Sequence, residues 1–133
     1  MQKLFIGNYC NNEMEILYLN NEMLATEKFK TKIYKKIPSY ICIYNDFLYS
    51  VAEIQDNTVN SGYVLAYKII NNGLKFLNEK ISYGNDPCYI TYNKLFNILF
   101  VANYTGGSFS VFKINEDGSI GNTLYIRKFW HKF

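Results

Sequence analysis

The segment Leu99-Phe100-Val101-Ala102-Asn103-Tyr104 has a close copy near the start of the chain, Leu4-Phe5-Ile6-Gly7-Asn8-Tyr9. Part of it also recurs between these two, where Val51-Ala52-Glu53 matches Val101-Ala102-Asn103. A short apolar run that ends in a polar residue and a turn is typical of a buried strand. The chain therefore repeats a strand-forming segment, and the spacing of such repeats indicates the architecture.

Two further segments recur at a similar spacing. Pro38-Ser39-Tyr40-Ile41 matches Pro87-Cys88-Tyr89-Ile90, and Tyr67-Lys68-Ile69 matches Phe112-Lys113-Ile114. A period of about 45–50 residues is typical of the four-stranded blades of a β-propeller. The 13 Tyr and 10 Phe among 133 residues also favour strands. We therefore expect an all-β protein, a partial β-propeller of about two and a half to three four-stranded antiparallel blades.

The repeats divide residues 1–133 into a partial first blade (3–36), a second blade (37–84) and a third blade (85–127). The strands expected in the second and third blades are Tyr40–Tyr44, Phe47–Glu53, Gly62–Ile70, Leu74–Ile81, Tyr89–Tyr92, Ile98–Tyr104, Ser108–Ile114 and a weak one near Thr123–Arg127. The first blade opens at Leu4–Tyr9, the equivalent of a second strand, so its innermost strand is missing. Propellers use about 4–8 blades, so we expect the N-terminal portion of a longer protein.

Composition and charge exclude several classes of function. The net charge is +3 with 19% charged residues, too little for a nucleic-acid-binding surface. The alternating Lys28, Lys30 and Lys32 predict one solvated face of an outer strand that protects a sheet edge. Apolar runs reach about five residues, whereas a membrane span needs about 20. The N-terminus lacks the pattern of a signal peptide, so we expect a cytoplasmic protein.

The three cysteines, Cys10, Cys42 and Cys88, are far apart in the sequence. No Cys-x-x-Cys motif or Cys/His cluster is present, so the sequence predicts no metal site and no cofactor. An odd number of dispersed cysteines in a protein that is not exported fits reduced thiols.

The chain resembles the seven-bladed lactonase family, which includes the propeller-type 6-phosphogluconolactonases. The resemblance covers roughly residues 3–122. It is carried by Ile37–Ile41, Phe47–Glu53, Asp86–Ile90 and, most distinctively, Leu99–Val111. It implies hydrolysis of a sugar-acid lactone with no cofactor. Tyr89 stands where the family commonly has His. The family's proposed catalytic His, Arg and Glu positions lie beyond this chain, so the catalytic residues are unknown.

Topology indicates where a ligand would bind. In a meandering blade, the loop after the second strand and the loop before the first lie at the same end, near the central channel. Glu53, Asn103 and Tyr104 fall in these loops and are our candidate substrate-binding residues. The alternative for Asn8 and Asn103 is that each only hydrogen-bonds the backbone of a tight loop. The alternative for Glu53 is a solvated acid.

Other polar residues favour structural interpretations. His131 as a general base and Arg127 as a phosphate anchor lie in a tail that departs from the repeat. Cys88 is better explained as a small apolar residue than as a nucleophile. Gly106-Gly107 is better explained by a tight turn between strands than by an anion site, and it is not a P-loop because no Gly-Lys-Ser/Thr follows.

Two functions remain open, and a third interpretation is a cytoplasmic member of the broader propeller-repeat group with an unknown ligand. The first is lactone hydrolysis of the 6-phosphogluconolactonase type, with a small sugar lactone as substrate and this chain inactive alone as a fragment. The second is a non-catalytic propeller module for binding or assembly. Open strand edges template association, so either form of the chain is expected to self-associate through its sheet edges.

Overall fold

A computed structural model describes residues 2–35 and 37–129, and every regular element in that part of the chain is a β-strand. The strands are β1 (Gln2–Ile6), β2 (Glu13–Leu19), β3 (Ala25–Lys32), β4 (Ile41–Tyr44), β5 (Phe47–Asp56), β6 (Ser61–Ile70), β7 (Gly73–Ile81), β8 (Pro87–Asn93), β9 (Ile98–Asn103), β10 (Ser108–Ile114) and β11 (Ile120–Lys128). No helix in the described residues is long and apolar enough to cross a membrane.

The strands form three separate antiparallel sheets, each a simple meander in chain order. Blade 1 is β1-β2-β3, blade 2 is β4-β5-β6-β7, and blade 3 is β8-β9-β10-β11. Blade 1 has three strands because the chain enters it at the equivalent of a second strand. The prediction of an all-β partial propeller is confirmed, with two four-stranded blades and one of three strands.

Several strand boundaries differ from the sequence prediction. The weak fourth strand of blade 3 is the nine-residue strand β11. The first strand ends at Ile6, and Asn8 and Tyr9 lie in the segment that follows it. Strand β5 continues to Asp56 across an irregularity that begins after Ala52, and pairing resumes at Asp56 with Ser61. Glu53 therefore lies in the irregular end of a strand rather than in a loop.

The core consists of two layers, one at each junction between neighbouring blades. Between blades 1 and 2, Met14 and Ile16 pack in one cluster with Leu48 and Leu65. Between blades 2 and 3, the fully buried cluster contains Tyr49, Val51, Val64, Ile90, Leu99 and Phe112. Successive residues of a strand point to opposite faces, so the middle blade contributes side chains to both layers. This is why β5 and β6 are apolar almost throughout.

The alternation along β3 follows the prediction for an outer strand. Lys28, Lys30 and Lys32 are exposed, whereas Thr31 between them is buried. Lys28 Nζ lies 2.9 Å from a carboxylate oxygen of Glu15 on β2. Such partly exposed pairs contribute little to stability.

Candidate functional site

The loops at one end of blades 1 and 2 meet on the carboxylate of Glu53. The Tyr9 hydroxyl donates a hydrogen bond to Glu53 Oε2 at 2.6 Å, and the Ser39 hydroxyl donates to the same oxygen. The backbone N–H of Glu53 donates to Ile37 O at 3.0 Å, which holds the linker between the blades against β5. Residues from blade 1, the linker and blade 2 thus converge on one carboxylate.

This arrangement affects the titration of Tyr9. The hydrogen bond to Glu53 raises the pKa of the Tyr9 phenol, and burial and the negative charge of Glu53 act in the same direction. The phenol is therefore held in its protonated, donating form. Among the described residues no hydrogen bond reaches Glu53 Oε1, which leaves one oxygen of a half-buried carboxylate available to a ligand.

Glu53 occupies the repeat position that is Asn8 in blade 1 and Asn103 in blade 3. Asn8 Oδ1 accepts the backbone N–H groups of Cys10 and Asn11 at 2.8 and 3.0 Å, a local loop-capping pattern. A carboxylate can only accept hydrogen bonds. The acid in blade 2 therefore cannot donate a hydrogen bond as its amide counterparts do. It accepts hydrogen bonds from hydroxyl groups of blade 1 and of the linker instead.

Asn103 and Tyr104, the other two candidate residues, lie in different environments. Asn103 is 4% exposed and donates from Nδ2 to Ser82 O at 2.9 Å and to Ser108 Oγ at 3.0 Å. Its amide thus fastens the end of β9 to the linker between blades 2 and 3. Tyr104, the next residue, is 80% exposed at the surface of this end of the blades.

A second polar cluster, which the sequence pattern does not single out, lies at the junction of blades 2 and 3. The Asp86 carboxylate accepts a hydrogen bond from Gln55 Nε2 at 2.6 Å and another from the Thr105 hydroxyl. Asp86 also holds the loops through its backbone, since Tyr104 N–H donates to Asp86 O at 2.9 Å. The position of Asp86 just before the repeated Pro-x-Tyr-Ile segment was the available sequence signal.

Cys88 lies near both acids, and its environment opposes ionisation. Burial raises the pKa of the Cys88 thiol, and the charges of Glu53 and Asp86 raise it further. The thiolate is the reactive form of cysteine, so this thiol is not activated as a nucleophile. Within the described residues, no group of three or more His, Cys, Asp or Glu side chains is placed to hold a metal ion.

The remaining candidates fall outside this cluster. Arg127 lies on strand β11, where its guanidinium carbon is 5.2 Å from the centre of the Phe129 ring. His131 lies outside the described residues. Gly106 and Gly107 form a turn in which Gly107 N–H donates to Tyr104 O at 3.1 Å. A Cβ on Gly106 would come within 2.9 Å of Asn85 N, so close backbone approach explains this glycine.

Three meandering antiparallel blades, stacked face to face with their inter-strand loops converging at one end, define a β-propeller. The family model of the seven-bladed β-propeller lactonases matches residues 3–128. The chain belongs to this lactonase family.

Two curated relatives carry the name 6-phosphogluconolactonase. The protein from Bacillus subtilis strain 168 is 30% identical over 123 residues, which are 87% of this chain and 34% of the relative. The protein from Formosa agariphila is 40% identical over 76 residues, 56% of this chain and 21% of the relative. The chain therefore spans about a third or less of the length of these relatives.

Solved structures show the same partial coverage. A Bacteroides fragilis NCTC 9343 protein, provisionally named a 6-phosphogluconolactonase, matches with a TM-score of 0.80 and 28% identity over 96% of this chain and 36% of its own. A Bacteroides uniformis ATCC 8492 protein matches with a TM-score of 0.78 and 24% identity, covering 96% and 38% of the two chains. The second likeness supports the fold alone.

Proposed function

We propose that this chain forms three blades of a lactone hydrolase that acts on a sugar-acid lactone of the 6-phosphogluconolactone type. The observation that carries the proposal is the 30% identity to a 6-phosphogluconolactonase across 87% of the chain. In the reaction, water adds to the lactone carbonyl, the ring C–O bond breaks, and a carboxylic acid and a free hydroxyl result. A cytoplasmic setting is part of the proposal and suits three free thiols.

In this proposal Glu53 binds substrate rather than performing chemistry. Its carboxylate is fixed by the hydroxyls of Tyr9 and Ser39 on one oxygen. The other oxygen can accept a hydrogen bond from a sugar hydroxyl, and a charged acceptor makes a stronger bond than a neutral one. Tyr104, largely exposed at the same end, contributes an apolar ring face, and Asn103 keeps the Tyr104 loop in place from beneath.

The negative charges of Glu53 and Asp86 make this end of the blades unsuited to a phosphate. Both carboxylates would repel an anion, so we assign the Glu53 cluster to the hydroxyl-bearing part of the substrate. A phosphate would be held by basic residues elsewhere in a complete propeller, because anions are bound by Arg or Lys.

A chimeric protein tests the proposal. Residues 3–128 of this chain replace the matching span of the Bacillus subtilis relative, and hydrolysis of 6-phosphogluconolactone is measured against the spontaneous rate. We expect activity in the chimera and none in the 133-residue chain alone. Glu53→Gln should lower kcat/KM about tenfold, which corresponds to the loss of one charged hydrogen bond of about 1.4 kcal/mol.

Glu116→Gln provides the matched control, because Glu116 is an exposed acid in the turn between β10 and β11. It should leave kcat/KM unchanged. A folded chimera without activity would count against lactone hydrolysis. A chimera that keeps its full activity after the Glu53→Gln change would count against the role of Glu53 alone.

The second candidate is a non-catalytic module that assembles through its open sheets, including self-association. The observation that favours it is the exposure of large apolar side chains on blades 1 and 3, such as Leu4 (45%) and Tyr125 (52%). Sedimentation of the chain alone over a range of concentrations tests it. Growth in mass with concentration supports association, and a stable monomer contradicts it.

A further inference from the structure

A cleft of about 240 Å³ opens between the outermost strands of blades 2 and 3, at the same end of the blades as the Glu53 cluster. It is formed by the ends of β7 and β11, the turn between β5 and β6, and the linker from β7 to β8. Both blades that bound it have all four of their strands in the described part of the chain. None of the three residues proposed to bind substrate lines this cleft.

The cleft exists because β7 and β11 are joined along their first part and separate toward this end. Asn78 on β7 bonds both backbone groups of Ile120: its Nδ2 donates to Ile120 O at 2.8 Å, and Ile120 N–H donates to Asn78 Oδ1 at 2.9 Å. Further along, the Thr123 hydroxyl donates to the Tyr83 hydroxyl at 3.2 Å. Among the described residues, no backbone pairing joins β11 to β7. The two strands therefore leave a space between them.

The last residues of β11 direct two side chains into this space. Ile126 and Lys128 pair with Ser110 and Ser108 on β10, and directly paired residues share a face of the sheet. The Ser110 hydroxyl donates to a backbone carbonyl of the linker between blades 2 and 3 at 2.9 Å. This face of blade 3 is therefore turned toward blade 2. Arg127 lies between the two residues and points to the opposite face.

Apolar side chains form the walls and the floor of the cleft. Val59 and Ile81 lie on the blade 2 side, and Ile126 lies on the blade 3 side. The Tyr83 ring forms the floor, where it stacks on the buried Phe112 with ring centroids 6.2 Å apart. Val59 is 43% exposed and Ile126 is 40% exposed. Apolar surface is thus open on both sides of the cleft.

The polar groups of the lining are nitrogen donors. Lys128 is exposed, and its ammonium group has three N–H donors. Asn60 Oδ1 accepts a hydrogen bond from Asn85 Nδ2 at 3.0 Å, so the Nδ2 group of Asn60 is its free donor. Among the described residues, no Asp or Glu lines the cleft. The lining therefore complements an anion that has an apolar body.

We propose that this cleft binds a small monocarboxylate with an aromatic or branched aliphatic body. The carboxylate accepts hydrogen bonds from the Lys128 ammonium and the Asn60 amide, and the body packs on the apolar walls. The cleft of about 240 Å³ is smaller than the roughly 300–1,000 Å³ of sites for drug-sized ligands, so the ligand is small. A sugar acid fits poorly, because its hydroxyls would lie unpaired against apolar side chains.

An NMR titration of the isotope-labelled 133-residue chain with sodium phenylacetate tests the proposal. We expect saturable shifts of the backbone amides of Ile81, Tyr83, Ile126 and Lys128. The expected Kd is about 1–10 mM, the range for a ligand of about ten non-hydrogen atoms. The titration involves no catalysis and reports on a cleft outside the proposed lactone site, so its outcome is independent of the proposed hydrolysis.

A neutral probe of the same shape separates the contribution of the charge. Phenylacetamide should bind about fivefold more weakly than phenylacetate, because a neutral acceptor makes a weaker hydrogen bond to an ammonium group than a carboxylate does. This comparison uses the unaltered chain, so it does not depend on how any variant folds.

Two neighbouring basic residues provide a matched pair of variants. Lys128→Gln should weaken phenylacetate binding about fivefold, because it removes the charged donor. Arg127→Gln removes the same charge from the opposite face of β11, so it should change the Kd by less than about twofold. Both side chains are exposed, so neither change disturbs the core. Circular dichroism verifies the fold of both variants.

Three results would overturn the proposal. The first is the absence of saturable shifts at the four amides at phenylacetate concentrations well above the expected Kd. The second is phenylacetamide binding as tight as that of phenylacetate. The third is the same Kd for Lys128→Gln and Arg127→Gln, which would leave only a general attraction of the anion by the positively charged chain.

Discussion

Three side chains far apart in the sequence, Tyr9, Ser39 and Glu53, share one hydrogen-bonded cluster. The repeat predicts that the end of each second strand lies at the channel end of the blades, which makes Glu53 a candidate residue. The sequence could not show that Tyr9 donates to Glu53, because that contact depends on how blade 1 packs against blade 2. The substrate-binding role of Glu53, Asn103 and Tyr104 stays a prediction.

Glu53→Gln should lower the pKa of Tyr9 toward its ordinary value of 10.0, because it removes the negative acceptor that keeps the phenol protonated. An NMR titration of ring-labelled tyrosine measures the change, and Tyr9→Phe assigns the signal. Glu116→Gln should leave the titration where it is. An unchanged Tyr9 pKa in Glu53→Gln would mean that the hydrogen bond is absent in solution.

The sign of the associated stability effect follows from the same shift. The folded-state pKa of Tyr9 is raised, so the stability that its protonated phenol adds to the fold is present below its unfolded pKa of about 10. It is lost as the pH rises through the higher folded value. Wild-type stability should therefore fall more steeply with alkaline pH than that of Tyr9→Phe, as urea unfolding at several pH values can show.

Gly118→Ala should destabilise the fold by about 1–3 kcal/mol, the cost of overpacking and backbone strain. Gly118 has a φ of +85°, and a Cβ there would collide with the Phe47 ring. Gly73→Ala is the control, since its Cβ would meet nothing closer than Thr31 Oγ1 at 3.4 Å. Urea midpoints of the two variants measure the difference, and equal midpoints would contradict the prediction.

At the scale of the element, most strands could be predicted from apolar runs bounded by turn residues. Strand β10 has the predicted bounds Ser108–Ile114. The prediction of Thr123–Arg127 omits the first three residues of β11, because Gly121 and Asn122 are turn-type residues that interrupt the apolar pattern after Ile120. The irregularity in β5 was missed, since it depends on how that strand pairs with β6. Local sequence determines strand tendency, whereas partner strands determine where pairing stops.

Ile90→Val should cost about 0.5–1.5 kcal/mol of stability, as expected when one methylene is removed from a packed interior. Ile90 is 1% exposed on β8 and lies in the cluster between blades 2 and 3. The matched change Ile43→Val on β4 should stay within about 0.5 kcal/mol, because Ile43 is 47% exposed. Chemical unfolding of both variants measures the two costs. A larger loss of stability in Ile43→Val than in Ile90→Val would contradict the prediction.

At the scale of the whole molecule, the repeat predicted three stacked sheets with an incomplete first one. It could not predict the relative stability of the blades, which depends on burial. Blade 2 is packed on both faces, and blades 1 and 3 are each packed on one. The middle blade is therefore the most stable part of the molecule.

Hydrogen exchange should reflect this order. Amides of β5 and β6 should exchange most slowly, and those of β1, which has one unpaired edge, should exchange among the fastest. Mass spectrometry of peptides from the exchanging chain measures the order. Equal protection of β1 and β6 would show that the edge of β1 is covered in solution.

The sequence by itself determined the strands, their antiparallel order and the period of the blades, because these depend on side-chain alternation and turn residues within a few positions. Only the tertiary structure decided which residues meet at Glu53, and that Asn103 is buried while Tyr104 is exposed. These features arise where one blade packs on the next. The contacts there join residues such as Tyr9 and Glu53, which are 44 positions apart in the sequence, beyond the range of any local pattern.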